Sequence, residues 1–231
     1  MAEYKQVHSF DLQISQMKKI QYELASKVEI GGKIRTPSII GGVDVSFMGE
    51  KAVGIVVCLA FPSLELIEYS YSSVEVSMPY IPGYLAFREL PAFLKAWEKI
   101  KNVPDVVMFD GHGVAHPRRL GIASHASFFI ERPTIGIGKS LLYGITVEPA
   151  KEKFSQNPIY DNVYTKHPND SIIGMSMCSK EKTKPIYISC GNLISLEEAI
   201  KLSQMSITKY RLPEPTRYAH LYSQKVKKEI S

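Results

Sequence analysis

The chain has 231 residues, 45% hydrophobic and 22% charged, with a formal net charge of +5; this composition fits a globular protein with a core and argues against a fibrous or disordered chain. No apolar run reaches the roughly 18 residues that suggest a membrane span, and Met1-Ala2-Glu3-Tyr4-Lys5 lacks the basic and apolar stretches of a secretory leader. Cys58, Cys178 and Cys190 stand singly with no CxxC pair, so neither a disulfide framework nor a structural zinc site is expected, and a reducing cytoplasm fits.

Residues 8–29 place Phe10, Leu12, Ile14, Met17, Ile20 and Leu24 at roughly helical spacing, stopped by Gly31-Gly32. Three strands are then predicted over 38–47, 52–61 and 64–76, with Gly49-Glu50-Lys51 and Pro62-Ser63 as turns. Such short turns imply an antiparallel meander. The spacing of Leu85, Leu90, Phe93, Leu94, Trp97 and Ile100 predicts a helix over 84–100. A buried strand over 104–110, a helix over 120–130 and a short strand over 134–137 follow. A meander continued by βαβ crossovers gives an α/β fold, one mixed sheet with helices on both faces, in a single domain 1–231. The polar stretch 149–170 is read as a surface excursion. Strands near 171–178 and 184–190 form a hairpin. Ser195 with Glu198 three residues on is a capping-box pattern that opens a helix, and a last helix spans 214–228.

The densest chemistry lies in Asp110-Gly111-His112-Gly113-Val114-Ala115-His116-Pro117-Arg118-Arg119, with His125 further on. Asp110 emerges at the end of a strand, and the glycines after it allow a sharp turn or close approach. Asp44, in Gly42-Val43-Asp44-Val45-Ser46, is a charge inside a strand, which is costly without compensation. Glu89 shares a helical face with Phe93 and Leu85; a solvated first-turn glutamate is the plain alternative. If the first strand lies beside 104–110, Asp44 and Asp110 converge, and a helix packed on that sheet face can deliver Glu89. Three hard oxygen donors suit Mg²⁺ or Mn²⁺ rather than zinc. His112 and His116 have HxxxH spacing, but Gly111, Gly113 and Pro117 disfavour the regular helix a zinc pair needs; hydrogen bonding to phosphate or base is expected instead. Lys139, after a short strand, can point at the sheet end that carries Asp110. His220, on the last helix, can reach the metal or the attacking water. Met78-Pro79-Tyr80-Ile81-Pro82-Gly83 is a proline-stiffened loop tipped by an aromatic. It is either a simple connection or a wedge that parts stacked bases.

Together these segments resemble the endonuclease V family. The matching pieces are Gly42-Val43-Asp44-Val45-Ser46, Pro79-Tyr80-Ile81-Pro82-Gly83 with Phe87-Arg88-Glu89, Asp110-Gly111-His112-Gly113 with Ala115-His116-Pro117-Arg118, Pro133-Thr134-Ile135-Gly136 with Lys139, and Arg211-Leu212-Pro213-Glu214-Pro215-Thr216-Arg217. They come in family order and span nearly the whole chain. The resemblance implies a ribonuclease H-like fold, Asp44, Glu89 and Asp110 as ligands of Mg²⁺ (Mn²⁺ as substitute), and Lys139 and His220 as supporting catalytic groups. It implies Tyr80 as the wedge residue. Backbone around Pro82, Gly83, Gly111 and Gly113, with His116, would line a hypoxanthine pocket, and the Arg118-Arg119 pair would meet backbone phosphate. Where the family usually has Gly-His, this chain has Gly191-Asn192, so an altered local hydrogen-bond network is expected.

The implied activity is recognition of inosine, cleavage of the second phosphodiester on its 3′ side to leave 3′-hydroxyl and 5′-phosphate ends, and DNA repair. The expected partner is DNA containing deoxyinosine, with no membrane and no obligate protein partner. Single-stranded DNA and RNA stay open as substrates. A non-catalytic binding protein on this scaffold would be expected to lack carboxylates, and all three are present. A hybrid ribonuclease or resolvase is disfavoured by the 79–83 loop and the 110–118 run.

Overall fold

A computed structural model describes residues 1–32, 34–76, 78–162 and 172–230. In chain order the elements are α1 (Ile14–Ala25), β1 (Ile39–Met48), β2 (Lys51–Ala60), β3 (Leu66–Glu75), α2 (Leu85–Trp97), β4 (Val106–Asp110), α3 (Ile122–Ile130), β5 (Thr134–Gly138), β6 (Gln156–Tyr160), β7 (Ile172–Met177), β8 (Ile186–Asn192), α4 (Leu196–Met205) and α5 (Glu214–Ile230). Among the described residues eight strands make one mixed sheet ordered β3-β2-β1-β4-β5-β8-β7-β6. The meander and the parallel continuation through β4 and β5 match the expected α/β, ribonuclease H-like architecture.

Two departures from the sequence reading have physical causes. The first helix starts at Ile14 rather than at residue 8. The preceding turn is drawn out so that His8 and Phe10 can pack on Phe129 and Phe87. The second departure is inside the supposed excursion 149–170, whose residues 163–170 lie outside the described ones: Gln156–Tyr160 is an edge strand paired antiparallel with β7. Pro158 is compatible with that edge, where one side of the backbone needs no ladder partner. The expected hairpin of 171–178 with 184–190 is the β7–β8 pair, and residue 171 is outside the described residues.

The two sheet faces are covered differently. On one side Val43, Val56, Cys58, Val107 and Phe109 pack with Leu90, Phe93, Trp97 and Phe129 of α2 and α3. Contact there is close: a Cβ at Gly54 would meet the Ala92–Phe93 backbone within 2.7 Å, and Ser70 and Ser72 hydroxyls donate to the Ala96 and Ala92 carbonyls. On the other side α5 lies over β1 and β2, with Ala219 and Val226 against Val53, Ile55 and Val57. A side chain at Gly42 would strike the Pro215 backbone, with Cα at 2.8 Å, so this glycine lets α5 approach β1. Ser195 Oγ accepts from Glu198 N at 3.2 Å and opens α4 as expected. Cys58, Cys178 and Cys190 are buried free thiols. No helix among the described residues is long and apolar enough to cross a membrane.

Candidate active site

Register decides where the carboxylates meet. β1 and β4 run parallel with Val43 beside Phe109, so Asp44 and Asp110 are the next residues on adjacent strands. Alternation turns both away from the α2–α3 core and toward the face covered by α5. Ser223 and His220 of α5 stand over Asp44 there, with His220 Nδ1 at 3.7 Å from Asp44 Oδ2. Glu89 comes from α2, which packs on the opposite face, so the expectation that one face carries all three is corrected. Glu89 is nonetheless buried and within the electrostatic reach of both aspartates.

Burial chiefly, and then the facing charges of Asp44 and Asp110, push the Glu89 carboxyl well above its ordinary range. Burial and the Asp110 charge also raise Asp44, while Ser223, His220 and Lys139 pull it back. Like charges in a poorly hydrated site resist joint ionisation. At the end of β5, the Lys139 ammonium makes an ion pair with the Asp110 carboxylate, as the sequence placed it. Among the described residues no three His, Cys, Asp or Glu side chains form a ready-made metal cage; Asp110 is engaged by Lys139 instead. The donor set still fits a hard divalent cation, because three mutually repelling carboxylates gain from a positive charge among them and offer only oxygen.

Beside the carboxylates is a pocket of about 170 Å³ whose lining includes Gln21, Tyr80, Gly83, Leu85, Ala86, Gly111, His112, His116, Ile122 and Leu142. Asp110 leads directly into its wall through Gly111. A side chain there would meet Ile122 Cγ2 at 2.6 Å. Tyr80 is 60% exposed at the mouth, while Met78 and Ile81 anchor its loop on Met17, Tyr84 and Phe87.

Several expected contacts fall elsewhere. Gly113 is absent from the lining; it packs on the Cys190–Gly191 backbone and its N–H donates to Ser189 Oγ at 2.9 Å. Pro82 stiffens the loop without facing the pocket. Arg118, expected on phosphate, donates to the Gly83 carbonyl (2.6 Å) and Gln21 Oε1 (2.5 Å) and stacks on Tyr84, while Arg119 pairs with Asp161. His116 lines the pocket, but Nδ1 accepts from the Arg118 N–H at 3.1 Å and Nε2 donates to the Gly83 carbonyl at 3.2 Å. Burial first, and the Arg118 charge second, push its pKa down to about 4, so the ring is neutral. His112 is also held below its ordinary value, mainly by burial, with Nε2 against the Ser140 carbonyl. His125 is fully buried and meets His8, Nε2 to Nε2 at 2.6 Å, a packing role. Sequence reasoning missed Gln21; its one signal was a glutamine between Met17 and Leu24 on the buried stripe of α1.

The sheet order with acidic residues at its centre defines the class: a ribonuclease H-like nuclease. The chain belongs to the endonuclease V family, whose model matches residues 22–221. It is 45% identical over 224 residues to endonuclease V of Petrotoga mobilis, covering 97% of this chain and 98% of the relative. It is 47% identical over 208 residues to that of Dictyoglomus turgidum, covering 90% and 88%. The crystal structure of the Bacillus subtilis endonuclease V is similar with a TM-score of 0.90 at 31% identity, covering 99% of this chain and 98% of that one. Ciona intestinalis endonuclease V, solved in complex with a 23mer DNA containing an inosine followed by a ribo-adenosine, gives 0.79 at 28% identity, covering 96% and 99%.

Proposed function

We propose that this chain is an endonuclease that takes inosine out of a nucleic-acid strand, holds the base in the pocket under Tyr80, and hydrolyses the second phosphodiester 3′ to it, leaving 3′-hydroxyl and 5′-phosphate ends in cytoplasmic DNA repair. The observation that carries this reading is continuity: Asp110 and Gly111 are successive residues, one in the acidic cluster and one in the pocket wall. A base seated in the pocket therefore brings its own backbone alongside the carboxylates. Seating it requires extrusion from the stack. Tyr80, exposed on a loop stiffened by Pro79 and Pro82, supplies an aromatic face to fill the gap.

Asp44, Glu89 and Asp110 would hold Mg²⁺, with Mn²⁺ as substitute. Such an ion supplies activation of water and charge neutralisation at the phosphate. The chain's own groups do the rest. Lys139 keeps a positive charge at Asp110, where negative charge accumulates on the phosphate. His220, part-exposed beside Asp44, can hold or move a proton at Nδ1. The neutral His112 and His116 present no charge to the base and keep the pocket wall in one arrangement.

The test is Asp110→Ala. Mg²⁺-dependent nicking of an inosine-containing duplex is expected to disappear while binding of that duplex in a gel-shift assay persists; wild-type cleavage rates from the variant would refute the assignment. One observation favours RNA as a second substrate: the DNA bound by the Ciona relative carries a ribonucleotide next to the inosine. Matched deoxyinosine and inosine oligonucleotides, assayed side by side, decide between them.

A further inference from the structure

Three donors converge on one backbone oxygen at the pocket rim. The Gly83 carbonyl accepts from Gln21 Nε2 at 2.9 Å, from Arg118 Nη2 at 2.6 Å and from His116 Nε2 at 3.2 Å. A carbonyl offers two lone pairs, so this oxygen is saturated and its direction is fixed. The amide of Gln21 has no choice of orientation: its Oε1 accepts from Arg118 Nε at 2.5 Å, which leaves the amino group to face Gly83. Arg118 is itself held by the Tyr84 ring, 4.4 Å from the guanidinium carbon. Gln21 is 1% exposed, and a polar group buried to that degree is retained where it is hydrogen-bonded.

The residue clamped is the bend that joins the loop to α2. Gly83 sits at φ +81, in the region that side chains rarely adopt, and a Cβ there would meet Arg118 Nη2 at 2.7 Å. On its N-terminal side the chain runs to Tyr80; on its C-terminal side it enters α2 through Leu85 and Ala86, which line the pocket. Fixing this one carbonyl therefore fixes the path from wedge to wall.

We propose that Gln21 of α1 is a positioning residue for lesion recognition, acting through Gly83 on the loop that presents Tyr80. It rests on the pocket being the base-binding site. Gln21 lies outside the acidic cluster, so its effect belongs to substrate capture and not to bond cleavage.

Gln21→Glu tests this with one changed group: the carboxylate still accepts from Arg118 but turns an acceptor toward the Gly83 carbonyl. Gln21→Leu removes both bonds and serves if the first variant does not fold. Hydrogen exchange of the free protein is expected to speed up by about tenfold in amides of residues 78–85, as for loss of one net hydrogen bond, with the midpoint of thermal unfolding lowered but the variant folded at the assay temperature. With an inosine oligonucleotide, KM is expected to rise about tenfold while kcat stays within about twofold, the signature of lost binding rather than lost chemistry. Unchanged exchange over 78–85 in a folded variant overturns the clamp. Unchanged KM, or a fall in kcat at constant KM, overturns its role in recognition. A wild-type protein that cleaves without regard to inosine overturns the base-pocket reading and with it that role, whereas the exchange measurement still decides the clamp.

Discussion

At the scale of single residues, position along a strand was readable and partnership was not. Asp44 and Asp110 were legible because each stands in an apolar strand whose register brings it beside the other. Arg118 and His116 were not, because what they bind is the Gly83 carbonyl, 33 and more residues away in the chain; a basic side chain in a loop reads as a phosphate ligand until its internal acceptor is known. Asn192 illustrates the same point. The sequence marked it as a departure from the family pattern, and its Oδ1 accepts from the Glu29 N–H at 2.8 Å, tying the segment after α1 to the end of β8 far from the carboxylates. Asn192→Ala removes this bond from a backbone donor on an exposed residue, at a cost of about 0.5–1.5 kcal/mol. The expected result is a lower urea midpoint with kcat on an inosine substrate unchanged.

At the scale of elements, the meander, both crossovers and the capped α4 were legible because local periodicity and turn chemistry agree with the final fold. β6 was not: Gln156–Tyr160 holds one buried apolar residue, Ile159, and a proline, and it is a strand only because β7 offers an edge. The placing of α5 was also hidden, since it depends on a missing side chain. Gly42 lets the Pro215 backbone lie against β1, and from that seat the helix carries His220 to Asp44. Gly42→Ala is expected to cost about 1–3 kcal/mol as an overpacked contact, read as a reduced unfolding midpoint, and to slow cleavage by shifting His220 away from Asp44, with the bound fraction of inosine duplex little changed.

At the scale of the whole molecule, several histidines are buried as neutral rings. His125 is held well below its ordinary value by burial, then by His8 and His116, and His8 is lowered by burial as well. The sign follows from proton counting. Below the unfolded value of about 6.5 the unfolded chain binds these protons and the fold does not, so their contribution is intact above that pH and is lost as pH falls. The raised Asp44 and Glu89 carboxyls act oppositely, gaining protons in the fold. The histidine part is therefore read by difference. His125→Phe keeps an aromatic ring among Phe87, Phe129 and His8 and removes one such proton. Between about pH 6.5 and 5 the variant should gain on wild type by up to roughly 1.4 kcal/mol per pH unit in urea unfolding; parallel curves would show that His125 titrates alike in both states.

The helix α5 has a further consequence, for the order in which the protein is made. Asp44, Glu89 and Asp110 leave the ribosome early, but His220 and the apolar cover for Val53, Ile55 and Val57 come with α5, the last element in the described chain. Until that helix docks, a nascent chain has an uncovered sheet face and an acidic cluster without its histidine. The order of the elements therefore puts the three carboxylates ahead of the helix that stands over Asp44, and a nascent chain carries the acidic cluster before it carries His220 and the cover for that sheet face.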